Sequence, residues 1–275
     1  IKHLSEKSVD ISHIVSLTTQ QAKKFNVSGY TSYKKIAKQF DIPIYYPKEY
    51  SLKDKSDLNF FKQNKFDLLL LGGWQRLIPK EILTTVKFGG LGLHGSSEFL
   101  PKGRGRSPIN WSLIQNKNKF IMHLFSLSPG VDDGKIIAYK TFDINKWDTC
   151  RTLYYKNSIV SKRMLASYIP KIFSGRIRGK NQKGKPTYLP KRTPDDGIIN
   201  WKKPSEDIFN LVRAVTKPYP GAFTFYKEKK LIIFSSDLIK SQNKFHPYYI
   251  GKVVGTYDNK FSRVIAKNGI IILKE

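Results

Sequence analysis

Between residues 66 and 71 the chain runs Phe66-Asp67-Leu68-Leu69-Leu70-Leu71 and then halts at Gly72-Gly73. A short apolar run closed by glycines is the pattern of a strand buried on both faces of a parallel sheet. Such a strand needs helices to cover it, and residues 33–40 and 56–65 carry apolar side chains at helical spacing. Residues 11–17 and 44–46 read as further strands, the second set off by Asp41-Ile42-Pro43. Residues 18–33 read as a polar loop. The rhythm continues with a helix from Pro79, a strand over 90–94, a helix over 108–115 and strands over 120–127 and 136–142. A tight loop over 129–134 and a long helix over 149–173 complete it. This alternation predicts an α/β layer fold. Residues 1–4 read as the tail of an amphipathic helix, so the sequence predicts that an earlier strand belongs before them.

At Gly175 the composition changes. Residues 176–192 hold seven basic side chains and no acid, broken by Gly179, Gly184, Pro186 and Pro190, which predicts a linker over 176–190. Beyond it come a short helix over 207–216 and five short strands, at 222–225, 231–234, 251–257, 262–266 and 270–273. That spacing predicts a small antiparallel barrel. The predicted organisation is therefore a domain over 1–175, the linker, and a second domain over 191–275.

The formal charge is +28, from 49 Lys and Arg against 21 Asp and Glu. Residues 151–275 carry 26 of the bases and 8 of the acids, hence +18 of that total. Two readings of this excess stand: a surface for a polyanion, or a lysine enrichment that also raises Ile and Asn and reflects coding bias. At 40% hydrophobic and 13% aromatic the chain is composed like a folded protein rather than a basic disordered tail. No apolar run approaches the ~20 residues that span a bilayer, and no membrane partner is expected. The single cysteine, Cys150, excludes a disulfide framework and a cysteine-rich zinc site; a buried thiol in a cytoplasmic protein is the expectation.

Of the five histidines, His3, His13 and His246 read as packing or solvent residues, and His123 lies inside a strand. His94 differs. It ends the strand Gly90-Leu91-Gly92-Leu93-His94, and ligands of open α/β sheets bind beyond the carboxyl ends of strands. Downstream, Val131-Asp132-Asp133-Gly134 ends another segment of the same sheet. A carboxylate beside an imidazole fixes its tautomer and stabilises the protonated form, which suits a general base. Between them, residues 99–108 combine two glycines, two prolines and two arginines, able to bring main-chain N–H groups and guanidinium to an anion. This loop matches no P-loop or dinucleotide fingerprint.

Four stretches carry a resemblance: Gly73-Trp74-Gln75-Arg76-Leu77-Ile78-Pro79; Gly92-Leu93-His94; Leu100-Pro101-Lys102-Gly103-Arg104-Gly105 with Pro108-Ile109-Asn110-Trp111; and Gly130-Val131-Asp132-Asp133-Gly134-Lys135-Ile136-Ile137. Together they resemble the 10-formyltetrahydrofolate-dependent formyltransferases, a group that includes methionyl-tRNA formyltransferase and the amino-sugar N-formyltransferases. Residues 194–201 and 210–222 resemble the opening of that family's C-terminal domain. The resemblance implies a Rossmann-like domain with a mostly parallel sheet, then a small OB-like β-barrel. It implies formyl transfer from 10-formyltetrahydrofolate to a primary amine, with His94 handling the amine proton and Asp132 holding His94. It implies folate contacts from Trp74, Leu77, Ile78, Leu100, Pro101, Arg104, Gly105, Val131 and Asp133, and no metal.

Three departures stand out. The family's catalytic Asn falls on Gly92, leaving Asn110 or main-chain N–H groups near Gly95 as candidate oxyanion donors. Two extra residues lie between His94 and Pro101. The Gly-Val-Thr usual before the Asp strand reads Ile121-Met122-His123. The resemblance also implies that the family's first strand and helix precede residue 1. For the acceptor, residues 18–33 hold only Lys23 and Lys24, which favours a nucleotide-linked amino sugar, whereas the basic segment 176–192 favours tRNA. A folate- or RNA-binding homologue with little catalysis is the remaining alternative.

Overall fold

A computed structural model describes Leu4 and residues 9–27, 29–241 and 244–275. His3 and, Leu4 apart, the helix tail expected over residues 1–4 lie outside the described residues. In chain order come β1 (Ile14–Val15), α1 (Thr19–Lys24), α2 (Lys34–Gln39), β2 (Ile44–Tyr45), α3 (Lys55–Asn64), β3 (Leu69–Leu71) and α4 (Lys80–Leu83). Then follow β4 (Gly90–Ser96), β5 (Arg104–Gly105), α5 (Pro108–Ile114), β6 (Lys119–Ser126), β7 (Ile136–Asp143), α6 (Cys150–Phe173) and β8 (Tyr188–Leu189). After α7 (Ser205–Val215), the chain ends in β9 (Ala222–Tyr226), β10 (Lys229–Ile233), β11 (Ser236–Lys240), β12 (Val253–Tyr257), β13 (Phe261–Ala266) and β14 (Gly269–Leu273). Residues gather into two compact units, one of Ile1–His94, Met122–Lys140 and Ile159–Gly184, the other of Gly95–Ile121, Thr141–Ser158 and Lys185–Glu275.

In the first unit β1 and β2 pair in parallel, and α1 appears where a polar loop was expected. Its sign was in the sequence: Thr18 accepts from the Gln21 N–H at 3.1 Å while the Gln21 side chain accepts from the Thr18 N–H at 2.8 Å, a capping box. Beside β2, the fully buried Asp57 of α3 is satisfied by the Tyr45 hydroxyl at 2.7 Å and the N–H groups of Lys48 and Glu49 at 2.9 and 3.1 Å. His13 packs edge-on against Phe60 and Phe66, as a packing residue.

The central sheet runs in the order β3-β4-β6-β7. β3 and β4 are parallel, with Leu69 opposite Gly90. Leu127, just past the end of β6, donates to the Gly90 carbonyl at the start of β4 at 2.7 Å, so β6 runs against β4. Ser126 N–H then bonds to the Lys135 carbonyl at 2.9 Å and turns β6 into β7 as a hairpin. The sheet is mixed where a mostly parallel one was expected, because the tight loop between β6 and β7 is shorter than the dozen-residue crossover that parallel neighbours need. β3 stands at the end of this order, and its leucines are half-buried rather than enclosed on both faces.

In the second unit α5 packs against α7. The apolar face of α7, with Ile208, Val212, Ala214 and Val215, shares one core with Ile109, Leu113, Phe120, Cys150, Leu153 and Ile271. Burial pushes the Cys150 thiol up to about 11, as expected of an enclosed, inert cysteine. The terminal strands form a β9–β10 hairpin and a four-stranded antiparallel sheet, β11-β14-β13-β12. Among the described residues there is no closed barrel: β9 and β10 pair along their lengths with each other and stay outside the larger sheet. β11 lacks a clean apolar alternation, which is why the sequence missed it. The expected linker is also structured in part, since β8 pairs in parallel with β5 and Lys180 bridges to Ile136. Main-chain pairing of that kind needs no side-chain periodicity.

Buried Arg213 ties the start of α6 to α7. It donates to the Asn210 side chain at 2.8 Å and to the carbonyls of Asn145 and Asp148 at 2.9 and 3.0 Å. Burial draws its guanidinium below the usual arginine range. Replacing it by alanine orphans these acceptors, and an Arg213→Ala variant is expected to lose roughly 2–4 kcal/mol in urea unfolding, whereas an exposed change such as Lys230→Ala leaves the midpoint in place.

Candidate active site

The approach of β6 to β4 sets the geometry in the first unit. A Cβ added at Gly90 would lie 2.7 Å from Leu127, and one at Gly92 would lie 2.7 Å from the Phe125 ring and 2.9 Å from Leu127. Glycine at these positions leaves room for the side chains of Leu127 and Phe125 against β4. The same pairing brings His94 of β4 beside His123 of β6, both buried. At the far end of β6 the loop to β7 turns through Asp132, which takes φ 49°, and Gln182 pins it by donating to the carbonyls of Asp132 and Gly134 at 2.7 and 2.9 Å. A Cβ at Gly134 would fall 1.6 Å from the Ser126 carbonyl, so the hairpin closes this tightly only with glycine.

The outcome is a His–carboxylate pair: His94 Nδ1 lies 3.3 Å from Asp132 Oδ2, with the imidazole 8% and the carboxylate 22% exposed. With Nδ1 held toward the carboxylate, Nε2 is the basic nitrogen of the ring. Asp133, the other carboxylate of the loop, accepts from the Ser128 hydroxyl and so serves the loop itself. His123, an unremarkable strand residue in the sequence, is a second titratable group beside His94. Burial pushes its imidazole down to about 4; a hydrogen bond to the His94 backbone works the other way, and the charge of a protonated His94 adds to the lowering. At neutral pH the site therefore holds one imidazole against a carboxylate and a second kept uncharged. The only sequence sign was His123 standing where a threonine is usual.

The other predicted residues divide. In the first unit Ile78 is buried among Leu52, Phe61 and Ile82, and Trp74 packs edge-on to Tyr50 at 4.8 Å, its buried indole N–H without a hydrogen-bond partner among the described residues. Leu77 and Val131 present apolar side chains to solvent, 53% and 41% exposed. In the second unit Leu100 and Pro101 are buried, and Arg104 is buried with its guanidinium 3.3 Å from the Tyr188 hydroxyl. A Cβ at Gly105 would lie 2.5 Å from the Leu189 carbonyl, so this glycine serves the β5–β8 pairing. Asn110 is buried and donates its amide to the Ala214 carbonyl at 2.6 Å. One of its two amide N–H groups is thereby spent on joining α5 to α7. Asn110 and His94 belong to different units.

These features meet known proteins at one family. Residues 1–169 match the family model described as formyl transferase, and residues 191–275 match that described as formyl transferase, C-terminal domain. The chain belongs to the formyl transferase family. It is 33% identical over 210 residues to the bifunctional polymyxin resistance protein ArnA of Wigglesworthia glossinidia brevipalpis, an alignment covering 76% of this chain and 32% of that protein. It is 34% identical over 207 residues to the methionyl-tRNA formyltransferase of Thermodesulfovibrio yellowstonii, covering 75% of this chain and 66% of the relative. The aligned part thus spans about a third of one curated relative and just under two thirds of the other. In fold it is similar to the N-formyltransferase from Helicobacter canadensis, solved in complex with folinic acid and dTDP-3-aminofucose, with a TM-score of 0.63, 18% identity, and coverage of 96% of this chain and 99% of that one. No helix among the described residues is long and apolar enough to cross a membrane.

The buried His123 makes stability depend on pH. Its folded value of about 4 lies below the unfolded value of 6.5, so between these the unfolded chain binds the extra proton. Its contribution is complete above pH 6.5 and is lost as pH falls toward 4, on the order of 3 kcal/mol in all. Urea unfolding at pH 7 and pH 4.5 is expected to show a steeper loss in the parent than in His123→Gln. Equal slopes would mean that His123 is not held neutral.

Proposed function

We propose that the chain transfers a formyl group from 10-formyltetrahydrofolate to a primary amine, and that the acceptor is a nucleotide-linked amino sugar. The observation that carries the reading is the enclosed His94–Asp132 pair at 3.3 Å. In this reading Nε2 of His94 accepts the proton that the amine gives up, and Asp132 holds the ring and stabilises its protonated form. Bound 10-formyltetrahydrofolate supplies the formyl carbon. Exposed Leu77 and Val131 are the first-unit apolar surfaces suited to hold it. Within the first unit Ile78, buried among Leu52, Phe61 and Ile82, acts as support. Arg104 and Asp133, each with a partner inside the protein, serve as anchors of their loops. Gly92 contributes no side chain, and Phe125 and Leu127 fill the space beside it, so the formyl oxygen must be met by main-chain N–H groups or water. Loss of one such donor typically costs about 10²–10³ in rate, and a slow enzyme is expected.

Residues 18–33 support the sugar acceptor, because their only bases are Lys23 and Lys24 and part of the segment folds into the short, capped α1 rather than a basic insertion. The second reading, initiator methionyl-tRNA as acceptor, draws on the 34% identity to the Thermodesulfovibrio enzyme and on the basic residues of 176–192. Incubating the protein with 10-formyltetrahydrofolate and either a pool of nucleotide amino sugars or initiator methionyl-tRNA, while following tetrahydrofolate release, separates them. His94→Ala and Asp132→Asn are each expected to lower turnover by about 10²–10⁴. No release with any amine, or an unchanged rate in His94→Ala, overturns the enzymatic reading. Release with tRNA alone, lost steeply with salt, replaces the sugar by tRNA.

A further inference from the structure

A second concave surface lies in the second unit, with a volume of about 1000 Å³, and none of the residues assigned to formyl transfer lines it. Its apolar part includes Trp201, Phe245 and Ile250; Lys202, Lys244 and Lys267 supply charge, and no Asp or Glu lines it. Its volume lies at the upper end of the range of small-molecule sites.

Two details say what suits it. The Trp201 indole donates to the Thr224 hydroxyl at 3.0 Å, which fixes the ring in one orientation. Gly251, at φ 82°, passes over that ring with its absent Cβ 3.6 Å away, so any side chain at 251 would cover the indole. The partly buried ring is held in place where it lines the groove, an aromatic surface of the kind a base can stack on. The three lysines are exposed, and among the described residues none of them forms an ion pair. An uncompensated triple positive charge beside a fixed aromatic ring matches a planar ring carrying a short, multiply charged phosphate group. An uncharged ring leaves the lysines unanswered, and a bare phosphate leaves the apolar surface wet.

We propose that this groove is a binding site for a nucleoside diphosphate, separate from the formyl-transfer site and independent of which amine that site accepts. The probes are UDP, uridine, pyrophosphate and a uridine decanucleotide, with calorimetry for affinity and 5-azido-UDP photolabelling for location. The proposal expects UDP to bind more tightly than uridine or pyrophosphate, and the label to map to residues 198–202 or 244–251. It expects Lys202→Ala/Lys244→Ala/Lys267→Ala to weaken UDP at least about tenfold while its melting temperature and tetrahydrofolate release stay those of the parent. Labelling confined to other segments, equal UDP affinity in the triple variant, or pyrophosphate binding as tightly as UDP would overturn it. So would binding of the decanucleotide without UDP, which would make the surface an RNA contact.

Discussion

Side chains of β6 occupy the space that side chains of β4 would need. That steric constraint comes before the chemistry. Because β4 has glycine at 90 and 92, Leu127 and Phe125 press onto its backbone, and the two strands pair closely enough to bury His94 and His123 together. The pairing also decides where β6 ends, and therefore where the loop carrying Asp132 turns back. Gln182 and the glycine at 134 hold that turn, and the carboxylate arrives 3.3 Å from the imidazole. A bulkier residue at 90 or 92 must displace the side chains of Leu127 and Phe125.

The two imidazoles show how environment divides one residue type between two tasks. His123 sits where nothing charged compensates for lost solvation, and it stays neutral across the range in which histidine normally titrates. His94 has a carboxylate within reach, and a protonated ring there keeps a counter-charge. A neutral neighbour also means that protonation of His94 meets no second positive imidazole in the same dry space. The polar interior of the other unit follows a different rule: Arg213 and Asn110 spend their donors on carbonyls, and what they secure is the joining of helices.

Much of this was legible in the sequence. The alternation of apolar runs and helices and the positions of β4, α5, β6, β7 and α6 could be read from residue order, and the pairing of His94 with Asp132 from the family resemblance. What escaped has identifiable physical causes. Strand direction is set by connection length and main-chain pairing, so an apolar run such as Phe66 to Leu71 reveals a strand without revealing its neighbours. β8 and β11 are short and lack alternation, and α1 is announced by a cap rather than by an apolar stripe. Barrel closure depends on whether the first and last strands meet, which strand count alone leaves open. His123 was discounted because a histidine inside a strand is ordinarily a packing residue; its importance lies in which strand it faces. The bond from Asn110 to the Ala214 carbonyl joins distant parts of the chain, and a sequence carries no record of it.

Position 92 carries a consequence for packing. An asparagine there, as the family resemblance would have it, collides with Phe125 and Leu127 unless those side chains move. Restoring it displaces the Phe125 ring and the Leu127 methyl, so packing is given up before any oxyanion donor is gained. With glycine at 92 that space belongs to core side chains rather than to a side chain of β4.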